Sequence, residues 1–160
     1  MTELEIKVEA LRRCVPCDAY DKALAELKND TPPTAEMEFD VEAAVNQALR
    51  DVGVPVGLVG HPYLVHSIIL TVNDPSFGRH ITSNLYFEVA KACGTTASRA
   101  ERGMRHAIEV AWDRGDPDVH FQYFGNAISP ARGKPTNREF ITGMAAAVRQ
   151  MKMAYDRRKK

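Results

Sequence analysis

No apolar run in these 160 residues reaches the length a bilayer demands. The longest, around Val65 to Val72, is short and is interrupted by His66, Ser67 and Thr71, and the N-terminus begins TELEIKVEALRR, without the apolar core of a signal peptide. A soluble, cytoplasmic protein with no membrane partner is expected. Cysteine is scarce too. Three in the chain, an odd number, argue for a reducing compartment and against a disulfide framework. Cys14 and Cys17 form a CVPC pair, but zinc would need two further ligands, Cys93 stands alone, and His61, His66, His80, His106 and His120 show no tight ligand spacing. A redox CxxC needs a neighbouring βαβ pattern, which is missing. The pair therefore reads as two thiols in a turn, and no metal is expected.

Net charge is missing as well, which at first argues against a nucleic-acid partner. The average hides an asymmetry: residues 1–40 carry 5 Lys/Arg against 10 Asp/Glu, and residues 41–160 carry 16 against 11. A basic footprint is a matter of local clustering, so the second part remains a candidate for DNA. Also missing are a nucleophile motif, a phosphate-cradling glycine loop and a pair of carboxylates at useful spacing. Gly57 and Gly60 in VGLVG fall short of a dinucleotide fingerprint and have no strand before them. Nothing brings two histidines together as acid and base. No catalytic residue and no cofactor are assigned, and an enzyme is the weakest reading.

No stretch alternates apolar and polar residues as a half-buried strand would, and no internal repeat appears; helical periodicity runs through most of the chain. The expected fold is all-α, a bundle of about six helices containing a helix-turn-helix and preceded by a short N-terminal helical hairpin. The hairpin comprises residues 3–13 and 19–28, turning at Val15 and Pro16; Thr31 to Phe39, with Pro32 and Pro33, reads as a linker. Residues 1–40 are thus an acidic extension and residues 41–160 the main domain. In the latter, Val41 to Val52 repeats apolar residues at helical spacing, with Asp40 as cap. Next, His61 to Val72 turns Tyr63, Leu64, Ser67, Ile68 and Val72 inward, and Asn73, Asp74 and Pro75 stop it. Ile81 to Cys93 aligns Ile81, Leu85, Val89 and Ala92. Pro117 to Phe124 carries Val119, Phe121, Tyr123 and Phe124, with Gly125 as its cap. The last helix starts at Thr136 or Asn137 and buries Phe140, Ile141, Met144, Ala145, Val148 and Met151.

The stretch GTTASRAERGMRHAIEVAWDRGD, Gly94 to Asp116, organises the rest. With Met104 at the origin of a helical wheel, Ala97, Ala100, Ala107, Ile108 and Ala111 lie within about 60° of it, a buried stripe. Arg99, Arg102 and His106 fall on the opposite side, flanked by Ser98 and Arg105. Thr95, Thr96 and Ser98 are all able to cap its start, and Ser98 with Glu101 has capping-box spacing. Arg114, Gly115 and Pro117 mark its end. Two helices joined by a short glycine turn, the second small and apolar inside and basic outside, make a helix-turn-helix with a recognition helix over about 97–114. The same pattern also fits an ordinary amphipathic helix with a solvated charged face and a Glu101–Arg105 pair at i,i+4.

The segment TTASRAERGMRHAIEVAWDRGD resembles the signature of the C-terminal effector domain of the stage 0 sporulation master response regulators. GKPTNREFI resembles a second stretch of that domain, and VGVPVGLVGHPYLVHSIILTVND its opening helices. The similarity runs from about Val41 to the C-terminus. It implies a DNA-binding transcription regulator of sporulation that reads a short TGTCGAA-type box in double-stranded DNA, often in tandem, with copies touching head to tail as a homodimer. RNA polymerase or a full-length sporulation regulator are further partners it implies. On the matching positions, Arg99, Arg102 and Arg105 are of the type that donates two hydrogen bonds to guanine, and Glu101 can accept from cytosine. Thr96 and Ser98, with the helix N-terminus, suit phosphate contacts, as does His106 at the edge of the face; Arg132, Lys134 and the C-terminal basic cluster would add salt-dependent attraction.

The sequence departs from the family in two places. Gly103 and Met104 stand where alanine and isoleucine are usual, and a helix-interior glycine costs about 1 kcal/mol against alanine, so a less rigid helix is expected. The family's effector domain also follows a phospho-receiver domain of more than a hundred residues. Forty cannot hold one, so Asp18 and Asp21 are not read as phospho-acceptors. Two functions remain: a regulator without phospho-receiver control, its acidic hairpin dimerising or braking the basic face, or an interaction module or antagonist that pairs with a full-length regulator. Retention of Arg99, Glu101 and Arg102 favours the first.

Overall fold

A computed structural model describes residues 38–128 and 133–160. Within them the chain is helical throughout, with six α-helices and no strand. The expected helical hairpin, most of the linker, the CVPC pair and Arg132 lie outside the described residues. Phe39 to Lys160 forms one compact unit.

The first helix, α1 (Val41–Val52), begins where Asp40, extended at φ −81° and ψ 99°, accepts a hydrogen bond from the Ala43 N–H. It ends at Gly53 in the left-handed region. Val45, Ala48, Leu49 and Val52 are buried along one face. α2 (Gly60–Asn73) is buried nearly all round, from Gly60 to Val72, and packs against both long later helices, Ala97–Arg114 and Asn137–Arg158, which makes it the central helix of the bundle. Its C-terminal carbonyls are held by a side chain: Arg149 donates from Nε to the Val72 oxygen at 3.3 Å and from Nη2 to that of Thr71. A guanidinium there also meets the negative end of the helix dipole.

The segment expected as one helix from Ile81 is in fact compound. A 3₁₀ turn (Pro75–Gly78) leads to a π turn (Ile81–Leu85), which continues as α3 (Tyr86–Cys93). Ile81, Leu85 and Val89 are buried as expected, but Ala92 is exposed and Tyr86 and Ala90 take the inward positions. The π turn adds a residue to the repeat and rotates α3 relative to it, so a pattern extrapolated at a constant 100° drifts by the last turn.

α4 (Ala97–Arg114) is followed by α5 (Pro117–Phe124) and a short 3₁₀ turn (Gly125–Ala127), then by α6 (Asn137–Arg158). α6 opens with a complete capping box: the Thr136 hydroxyl accepts from the Glu139 N–H, and the Glu139 carboxylate accepts from that of Thr136. One expectation for a buried side chain in α6 fails: Met151 is exposed because the bundle ends before the last turns of that helix, while on α5 His120 and Phe124 turn inward and Phe121 is 63% exposed. The sequence also assigned Phe39 to the linker; it packs beside the core, its ring 5.7 Å from that of Tyr155.

A candidate nucleic-acid interface

α4 owes its position to small residues. Ala100, Met104, Ala107, Ile108 and Ala111 are all fully buried, which leaves the opposite side to solvent. Burying Met104 and Ile108 alone stabilises the packing by about 1.5–3 kcal/mol each. The closest approach is backbone to backbone: a Cβ on Gly60 would sit 2.0 Å from the Gly103 carbonyl oxygen, and one on Gly103 would meet the Tyr63 ring at 3.1 Å. Gly103 is therefore a contact point for α2, and its helix-propensity cost is offset by the packing it permits. Ser67, below this crossing, donates to the Tyr63 carbonyl at 2.7 Å and lies 3.2 Å from the Met104 sulfur.

The turn from α3 into α4 depends on Gly94. Its φ of 64° is a left-handed position that other residues adopt at a cost, and the Gly94 and Thr95 N–H groups both donate to the Ala90 carbonyl. Thr96 then extends to φ −104° and ψ 155°, and its hydroxyl accepts from the Arg99 N–H at 3.2 Å. Ser98 lies inside the first turn, so the Ser98–Glu101 capping box considered from the sequence does not form; the extended backbone needed at a cap falls two residues earlier. The N–H groups of Ala97 and Ser98 are left without an intrahelical acceptor, as in any first turn.

On the outward side Ser98, Arg99, Arg102, His106 and Glu101 are exposed. Arg99 and Arg102 make no ion pair or side-chain hydrogen bond among the described residues. Arg105 differs. Its Nη1 donates to the Pro135 carbonyl at 2.9 Å and its Nε to Glu109 at 3.1 Å, which ties the segment leading into α6 onto the flank of α4. The anticipated Glu101–Arg105 pair is thus replaced by Arg105–Glu109: with one nitrogen held at Pro135, the guanidinium faces the following turn. Lys134 pairs with Asp113 at 3.0 Å. Asp113 lies fourteen residues after Arg99, roughly 21 Å along the axis at 1.5 Å per residue.

Several positioning residues escaped the sequence reading. Asn137, buried, donates from Nδ2 to the Tyr86 hydroxyl at 3.1 Å and to the Glu101 carbonyl at 3.2 Å, joining α6, α3 and the first turns of α4. Burial raises the Tyr86 phenol above its ordinary pKa and keeps it neutral. His120 is stacked on Trp112, centroids 4.1 Å apart and planes 8° from parallel, with Nε2 2.9 Å from the Val52 carbonyl oxygen. Apart from the Trp112–His120 stack, these contacts span 36 to 68 residues of chain, so spacing alone carried no trace of them. The one available signal was the stretch GKPTNREFI, of which Pro135 and Asn137 are part.

Two adjoining helices, a glycine turn of three residues, and a second helix with an alanine-lined inner face and exposed arginines outside form a helix-turn-helix. Residues 45–148 match the family described as Sporulation initiation factor Spo0A C terminal. The chain belongs to that family. The Spo0A C-terminal family is one of helical DNA-binding domains of sporulation regulators, and no receiver domain is indicated in this chain. Among the described residues no helix is long and apolar enough to cross a membrane, and no three His, Cys, Asp or Glu side chains gather as metal ligands.

Proposed function

We propose that this protein is a sequence-specific transcription regulator that inserts α4 into the major groove. The observation that carries the reading is the contrast along one face: Arg99 and Arg102 are exposed and, among the described residues, unengaged, while the neighbouring Arg105 is committed to Pro135 and Glu109. Arg99 and Arg102 are assigned to guanine edges and Glu101 to cytosine. Arg105, expected as a third base contact, is assigned instead to holding the α6 entry in place. Thr96, Ser98 and the free N–H groups of the first turn suit a phosphate, with His106 at the rim. Lys134 shares its charge with Asp113 and contributes only at longer range.

The reading gives the acidic extension ahead of Val41 the part of dimerisation element or brake. The box is of the TGTCGAA type, with tandem copies as homodimers, in the cytoplasm, and with RNA polymerase as downstream partner. The test is binding of the full chain to a duplex carrying that box and to a scrambled duplex, across a salt series. Preference for the box with steep salt dependence is expected. Equal binding to both duplexes would overturn base reading and favour an antagonist that acts by pairing with a full-length regulator.

A further inference from the structure

A second basic cluster lies outside the recognition helix, where no sequence pattern pointed to one. Arg79 and His80 are exposed in the turn ahead of the helix-turn-helix, and Arg138 is exposed in the first turn of α6. They come together through Arg138, whose Nε donates to the Gly78 carbonyl and whose Nη2 donates to that of Arg79, both at 3.0 Å. This leaves Nη1 unengaged among the described residues and holds the guanidinium's charge still. The turn beneath is itself fixed: the N–H groups of Arg79 and His80 both donate to the Ser76 carbonyl. Its one carboxylate, Asp74, accepts from the Ser76 N–H and caps the 3₁₀ turn.

Connectivity relates this cluster to the reading face. Arg138 adjoins Asn137, which is bonded to the Glu101 carbonyl, and Pro135 is bonded to Arg105. On the α4 wheel, Glu101 and Arg105 lie on the flank that adjoins Arg102. The run from Pro135 to Arg138 therefore leads from the edge of the reading face to Arg79 and His80, and the exposed Thr82, Ser83 and Asn84 come next in the first helix of the helix-turn-helix. In this motif the first helix crosses the DNA backbone while the second enters the groove.

We propose that Arg79, His80 and Arg138 form a phosphate-binding patch that grips the DNA backbone beside the groove read by α4. This rests on the DNA-reading function proposed above and adds a sequence-independent contact to it. Two arginines and an imidazole N–H donor suit phosphate oxygens, and the fixed Arg138 loses little side-chain freedom on contact.

The test uses the full chain with the double substitution Arg79→Ala and His80→Ala, both at exposed positions, and an Arg79→Lys variant as rescue. The readouts are the salt dependence of binding to the box duplex and to the scrambled duplex, with thermal unfolding as a control for folding. The double variant should lose affinity by the same factor on both duplexes, with the log–log salt slope shallower by about one unit per lost phosphate contact, and Arg79→Lys should restore most of it. An unchanged slope in the double variant, while Arg102→Ala still weakens preference for the box, would overturn the patch and leave the reading helix standing. A loss confined to the box duplex would also overturn it, since it would mean base reading. If the unsubstituted protein shows no salt-dependent DNA binding, both the patch and the function it rests on fall.

Discussion

At the scale of single residues, two arginines three positions apart are expected to behave differently. Arg102 is exposed and has no side-chain partner among the described residues, so Arg102→Ala should cost about 1–3 kcal/mol of specific binding and relax preference at one base position, without changing the unfolding midpoint. Arg105 is tied to Pro135 and Glu109. Arg105→Ala should cost about 1 kcal/mol of stability, read by urea unfolding, and keep the pattern of base preference. His61 gives a pH dependence whose sign is set by its environment. Burial, with the Arg50 charge adding to it, holds the imidazole below its usual 6.5. The folded state then favours the neutral ring, while the unfolded chain takes up a proton near the ordinary value. The stability from this group is complete above that value and is lost as pH falls through the depressed folded pKa. Urea midpoints should drop on the acid side of neutrality, and His61→Gln should flatten that part of the profile.

At the scale of elements, the crossing of α2 on α4 decides how the outward side of α4 is presented. Gly60 and Gly103 face each other there, but they should not tolerate substitution equally. A methyl group on Gly60 meets carbonyl backbone at 2.0 Å and has no way to yield except by separating the helices. Gly60→Ala should therefore destabilise by about 1–3 kcal/mol. On Gly103 the methyl meets the Tyr63 ring at 3.1 Å, which is tight, while the helix gains about 1 kcal/mol in propensity. Gly103→Ala should come out near neutral, and chemical denaturation of the pair separates the two cases. An equal loss at both sites would mean that the close approach is not what selects glycine. From the sequence Gly103 looked only like a weak point in a helix, because the residue that faces it lies in a different helix.

At the scale of the molecule, Phe39 to Lys160 holds its own core. Removing residues 1–38 should leave the cooperative unfolding transition of the remainder in place. If the acidic extension brakes the basic face, the shortened chain should bind the box duplex more tightly; an unfolded remainder would show that the extension belongs to the fold. The sequence by itself determined the all-α class, α1, α5 and α4 with their bounds, and the outward side of α4, because apolar spacing, caps and glycine stops act within a few residues of chain. It also determined the family, through TTASRAERGMRHAIEVAWDRGD. Only the tertiary structure decided that Thr96 rather than Ser98 caps α4, that Arg105 is tied down while Arg99 and Arg102 have no side-chain partner among the described residues, and that Asn137 is bonded to Tyr86 and Glu101 and Arg138 to the turn ahead of α3. The state of the arginines and these bonds depend on which donors and acceptors from distant parts of the chain arrive within about 3 Å of one another, and no local pattern encodes that.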